Sequence, residues 1–105
     1  MNKYILIKDC NKNYIMRFAN TDFHRNIVGY NDIVFGGGMF TLDYDKEEML
    51  LWGKSTDYGP PKFDEIKDKI HTDEDMSGWK IILGNIHPSS EDTRIDITDR
   101  FIFDE

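Results

Sequence analysis

The chain has 105 residues, with 13 Lys and Arg against 20 Asp and Glu, for a formal charge of −7. A chain of this length forms one domain that buries roughly two thirds of its unfolded surface, and its acidic balance argues against backbone-driven nucleic-acid binding and against docking on anionic lipid, both of which need cations. The single cysteine, Cys10, excludes an internal disulfide, and MNKYILIKDC is too short and too polar for a signal peptide or a spanning helix, so a cytoplasmic protein without membrane contact is expected.

In chain order, KYILIK at 3–8 and YIMRF at 14–18 predict two strands joined by the polar turn DCNKN, whose Asp and Asn tolerate tight backbone conformations. In DFHRNIVGYN the apolar residues Phe23, Ile27 and Tyr30 recur at helical spacing behind the capping candidates Asn20, Thr21 and Asp22, which predicts a short helix. VFGGGMFTL and EMLLWGK flank the charged DYDKE and predict a second hairpin with its tip in solvent. PPKFDEIKDKI carries an apolar stripe of Phe63, Ile66 and Ile70, a proline suited to the first helical position at Pro61, and a supportive Glu65–Lys69 pair, which predicts a second helix. GWKIILGNI reads as a strand buried on both faces, and RIDITDRFIF as a final edge strand. The sum is an α+β domain over 1–105, a single mixed sheet of about six strands flanked by two helices that cover its faces. Repeats, low-complexity tracts and linkers are absent from the sequence.

Several chemical motifs fail on inspection. DYDKEE lacks the central glycine and the terminal glutamate of an EF-hand and reads as a solvated hairpin tip. His71 and His87 stand apart from each other and from Cys10, which gives no zinc spacing, so neither a metal nor another cofactor is expected. Cys10 has no activating neighbour beyond Lys8, and Trp52 and Trp79 suit the core or its margin.

Two stretches are better candidates. In GKSTDYGPP at 53–61, turn chemistry explains Gly59 and both prolines but not the hydroxyls of Ser55 and Thr56, which suit a cradle for an anion. His24, at the start of the first predicted helix, combines unpaired backbone amides with an imidazole that titrates near neutral pH.

The order of these pieces over Lys3 to Asn85 resembles the Janus/Ocnus family, the protein histidine phosphatases. The resemblance is carried by KYILI at 3–7, IMRF at 15–18, DFHRNIV at 22–28, FGGGMF at 35–40 and WGKSTDYGPP at 52–61. It implies metal-independent hydrolysis of a phosphohistidine-containing protein or a small phosphoramidate, with His24 as general base or nucleophile. It also implies that Ser55 donates its hydroxyl to a phosphoryl oxygen, with Thr56 beside it, while the amides of His24, Arg25 and Asp57 face the other oxygens. Lys3 matches the family's strand lysine, and Arg17 its upstream arginine at a spacing one residue shorter. Gly36 to Gly38 are read as serving close backbone packing rather than phosphate contact. Four features depart from the family, one of them a shorter stretch between His24 and Gly36. Met39 stands where a basic residue usually follows the glycines, Asp57 stands where the loop has a small apolar residue, and 86–105 is a C-terminal extension without counterpart. The alternative reading is a non-catalytic protein- or phosphate-binding module on the same fold, whose acidic face engages a basic protein.

Overall fold

In the computed structural model, residues 1–66, 69–72, 78–83, 95–96 and 102–103 are described. Apolar alternation sets the first hairpin: β1 (Asn2–Lys8) and β2 (Tyr14–Asn20) pair antiparallel without a break from Asn2–Asn20 to Lys8–Tyr14. Asp9 locks the intervening turn by accepting the Asn11 and Asn13 amides on Oδ1 at 2.9 and 2.8 Å. On the other side of β1 lies β3 (Ile33–Asp43), which returns as β4 (Glu48–Trp52). The Asp43 carboxylate accepts the Asp45 and Lys46 amides in the tip between them, so DYDKE is a hairpin turn, as its sequence suggested.

The remaining strands join through longer connections. β5 (Ile70–Thr72) pairs parallel with β2, and β6 (Lys80–Leu83) parallel with β4. The short strands β7 (Ile95–Asp96) and β8 (Ile102–Phe103) complete a single eight-stranded sheet in the order β7-β6-β4-β3-β1-β2-β5-β8. Both edges therefore come from the last part of the chain, and the segment joining Asp96 to Ile102 can reach at most about 20 Å. A flat sheet of that many strands would be about 34 Å across, so the sheet has to curl into a half-barrel. The final edge strand expected in RIDITDRFIF is instead two short strands on opposite edges; the rest of the 86–105 extension lies outside the described residues.

The inner face of the curl holds the core. Tyr4, Leu6, Met16, Phe18, Phe40, Met49, Leu51 and Ile81 pack there with Phe63, Ile66 and Ile70. Ile5 and Ile7 point to the opposite face by strand alternation and are also fully buried, and the 3-10 turn that follows β2 contacts β1. Of the burial expected on both faces of β6, the inner face has it at Ile81, which is fully buried, whereas Ile82 on the other face is only half-buried.

Among the described residues, the two helices expected to flank the sheet are not there. The first is a single 3-10 turn, His24–Ile27, preceded by Phe23 with no side-chain cap. Its apolar spacing is not a buried stripe: Tyr30 is fully exposed and Phe23 is 48 % exposed. An amphipathic helix has to bury its stripe, and a segment this short cannot hold a helix by propensity alone. The second is reduced to α1 (Phe63–Ile66), a four-residue helix whose Phe63 and Ile66 close one end of the core. Ile70, the third residue of that expected stripe, is fully buried as the first residue of β5, opposite Tyr14. The fold is thus mostly mixed β-sheet rather than a sheet between helical layers.

Candidate functional site

The site is built where β3 bulges. Ile5 lies opposite Gly37, but Ile7 lies opposite Val34, so β3 carries an additional residue around Phe35–Gly36. Gly36 has a φ of +83°, and a side chain there would run into the Pro60 carbonyl. The bulge lets the 53–61 loop dock directly on the strand: the Ser55 amide donates to Gly37 O at 2.9 Å, the Gly37 amide to Gly59 O at 3.3 Å, and the Lys62 amide to Phe35 O at 2.9 Å. Within the loop, Ser55 and Gly59 form a bridge, and the Tyr58 amide donates to Ser55 Oγ at 3.1 Å.

His24 packs against the same strand. Its ring lies over Gly37, where a Cβ would come within 3.1 Å of the imidazole and 2.4 Å of the Tyr4 carbonyl, so the absence of a side chain at Gly37 makes room for the ring. Nε2 sits 2.7 Å from Gly38 O. A carbonyl only accepts, so Nε2 carries the proton and Nδ1 the lone pair. The residue is 3 % exposed, and burial pushes its pKa below the usual 6.5, with the Lys3 charge acting in the same direction against the opposing pull of the Gly38 carbonyl, Asp57 and the Tyr4 carbonyl. The imidazole is therefore neutral at neutral pH.

A cleft of about 210 Å³ opens beside this ring, lined by Lys3, Asp22, Phe23, His24, Arg25, Thr56 and Asp57. Lys3 comes from β1, the residues 22–25 from the 3-10 turn and its approach, and Thr56 and Asp57 from the docked loop. The Arg25 guanidinium lies 4.1 Å over the Phe23 ring. Among the described residues, no carboxylate is within ion-pair distance of Lys3 or Arg25.

Five of the residues singled out in the sequence thus share one cleft: Lys3, His24, Arg25, Thr56 and Asp57. Ser55 and Arg17 do not line it. Ser55 is 1 % exposed and its oxygen closes the loop on the Tyr58 amide. Arg17 turns to Asp32 at 2.5 Å and to the Ile27 carbonyl at 3.3 Å, while Asp32 also accepts the Gly29 amide, so the arginine ties down the end of the 3-10 turn. Met39, opposite Lys3 on β3, lies against Gly53. The argument from a helix N-terminus at His24 lapses with the helix, because one 3-10 turn has no appreciable dipole. Asp22, a cap by sequence, and Phe23, a stripe residue by sequence, also border the site, and their adjacency to His24 is the signal for it.

No family model, curated protein or solved structure matches the chain. No helix of the described residues is long and apolar enough to cross a membrane.

Proposed function

We propose that this protein hydrolyses a phosphoramidate, phosphohistidine in the first place, in the cleft beside His24, without a metal and in the cytoplasm. The observation that carries the reading is a histidine held neutral, fixed through Nε2 on the Gly38 carbonyl, beside a cleft that also contains Lys3 and Arg25. At about 210 Å³ the cleft suits a phosphoryl group and the first atoms of its carrier better than a drug-sized ligand. The resemblance to the Janus/Ocnus family over Lys3 to Asn85 supports the same chemistry.

In this mechanism the Nδ1 lone pair takes a proton from a water aligned with the P–N bond, and the water oxygen forms the new P–O bond as the P–N bond breaks. The electron pair of that bond leaves with the imidazole of the substrate, which takes up a proton from solvent, inorganic phosphate is released, and His24 returns the proton on Nδ1 to solvent. Lys3 and Arg25 offset the charge on the phosphoryl oxygens during transfer. The recessed ring favours proton abstraction over direct attack on phosphorus, since a water reaches it more easily than a phosphorus atom screened by its oxygens. Ser55, with its oxygen on the Tyr58 amide, shapes the wall of the cleft in this account, and Arg17 holds the histidine-bearing turn.

A second reading, a non-catalytic phosphate- or protein-binding module on the same fold, is favoured by Asp57 in the cleft wall and by the engagement of the Ser55 hydroxyl. Incubation of the purified protein with a phosphohistidine peptide and a chelator separates the two. Release of phosphate that falls roughly 100- to 10,000-fold in His24→Ala supports hydrolysis. Equal release by both proteins, or none by the wild type, leaves the binding module.

A further inference from the structure

The cleft contains two cations, Lys3 and Arg25, and two carboxylates, Asp22 and Asp57, which is an unusual lining for a plain anion site. A phosphoryl dianion is repelled by nearby carboxylates and gains little from a lining whose charges sum to zero. These charges do not neutralise one another by contact, since no described carboxylate is within ion-pair distance of Lys3 or Arg25. Arg25 instead stacks on Phe23, which holds the guanidinium plane in place while leaving its N–H edges free to grip two phosphoryl oxygens. Arg17 is engaged by Asp32 and does not line the cleft, so Arg25 is the guanidinium at hand. Asp22 and Asp57 remain as acceptors for positive charge.

We propose that the cleft selects a phosphoryl group carried beside a fixed positive charge, that is, a phosphorylated side chain within a basic peptide segment. Lys3 and Arg25 take the phosphoryl oxygens, Asp22 and Asp57 take the flanking lysine or arginine, and Phe23 positions Arg25. A phosphorylated residue among acidic neighbours meets repulsion from the same two carboxylates and from a chain of formal charge −7. The inference rests on the phosphoryl reading of the cleft but not on turnover.

The test is calorimetric binding at near-physiological salt of a non-hydrolysable phosphonate analogue of phosphohistidine in two peptides, one flanked by lysines and one by glutamates, plus the lysine peptide without the phosphonate. The lysine-flanked analogue is expected to bind about tenfold more tightly than the glutamate-flanked one, a difference of about 1.4 kcal/mol. In Asp22→Asn/Asp57→Asn that preference shrinks to less than about threefold, and inorganic phosphate binds more tightly than to wild type, because only the repulsion has been removed. Phe23→Leu weakens both analogues, and its effect is not additive with that of Arg25→Ala if the ring acts through the guanidinium. Equal binding of the two analogues to wild type, or a preference unchanged in the double asparagine variant, overturns the inference alone. Failure to bind either analogue overturns the phosphoryl reading with it, and equal binding of the lysine peptide with and without the phosphonate reduces the site to a patch for basic peptides.

Discussion

At the scale of single residues, the chemistry turns on which forms of His24 and Tyr4 the fold tolerates. His24 is buried against backbone carbonyls, and burial lowers its pKa from 6.5. Between the lowered folded value and 6.5 the unfolded chain binds the proton first, so the contribution of His24 to stability is fully present above 6.5 and falls as pH drops through that window. In the proposed mechanism turnover falls as pH drops through the lowered folded value. A pH–rate profile with its acidic limb below 6.5, absent from the small residual rate of His24→Ala, is the expected result. Tyr4 poses the opposite problem: its ring is fully buried and stacks near Phe63, but its hydroxyl has no hydrogen-bond partner among the described residues, and burial raises its pKa. An unsatisfied buried hydroxyl costs about 1–3 kcal/mol. Tyr4→Phe is therefore expected to raise the midpoint of urea unfolding without changing its slope.

At the scale of elements, the short segment that carries His24 is held by tertiary contacts rather than by helical propensity. Arg17 on β2 binds both Asp32 and the Ile27 carbonyl, and the Asp32 side chain is only 6 % exposed. Arg17→Ala leaves that carboxylate without its cation, and an expected loss of about 1–3 kcal/mol can be read by urea unfolding. Gly37 is the second tie. Gly37→Ala drives a Cβ into the Tyr4 carbonyl and towards the His24 ring, so β1 and β3 have to part; the expected cost is about 1–3 kcal/mol, with a loss of phosphate binding larger than that of Gly59→Ala. The sequence made the two antiparallel hairpins legible because their signals are local: alternation in β1 to β4 and turn residues at Asp9 and Asp43. It misled over the helices because three apolar residues at helical spacing do not reveal whether anything covers them. Phe23 and Tyr30 remain largely exposed, and Ile70 finds its partner across a parallel pair with β2.

At the scale of the whole molecule, the pairings that curl the sheet are also the ones a sequence hides. β5 joins β2 and β6 joins β4 in parallel, and the two edge strands come from one stretch of chain. Such contacts depend on the complete arrangement rather than on any local pattern. The site was legible in part: Lys3, His24, Arg25, Thr56 and Asp57 meet in the cleft, whereas the Ser55 oxygen closes its own loop and Arg17 ties the end of the 3-10 turn. The proposed chemistry needs a neutral imidazole, protonated on Nε2, whose Nδ1 faces a water aligned with a phosphoryl group in the cleft. Nitrogen-15 NMR of the His24 ring, recorded from acidic to neutral pH with and without inorganic phosphate, measures this directly. The account predicts the Nε2–H form at neutral pH, protonation only below 6.5, and an Nδ1 resonance that moves as phosphate is added. A charged ring at neutral pH, an Nδ1–H form, or a ring resonance indifferent to saturating phosphate would contradict it.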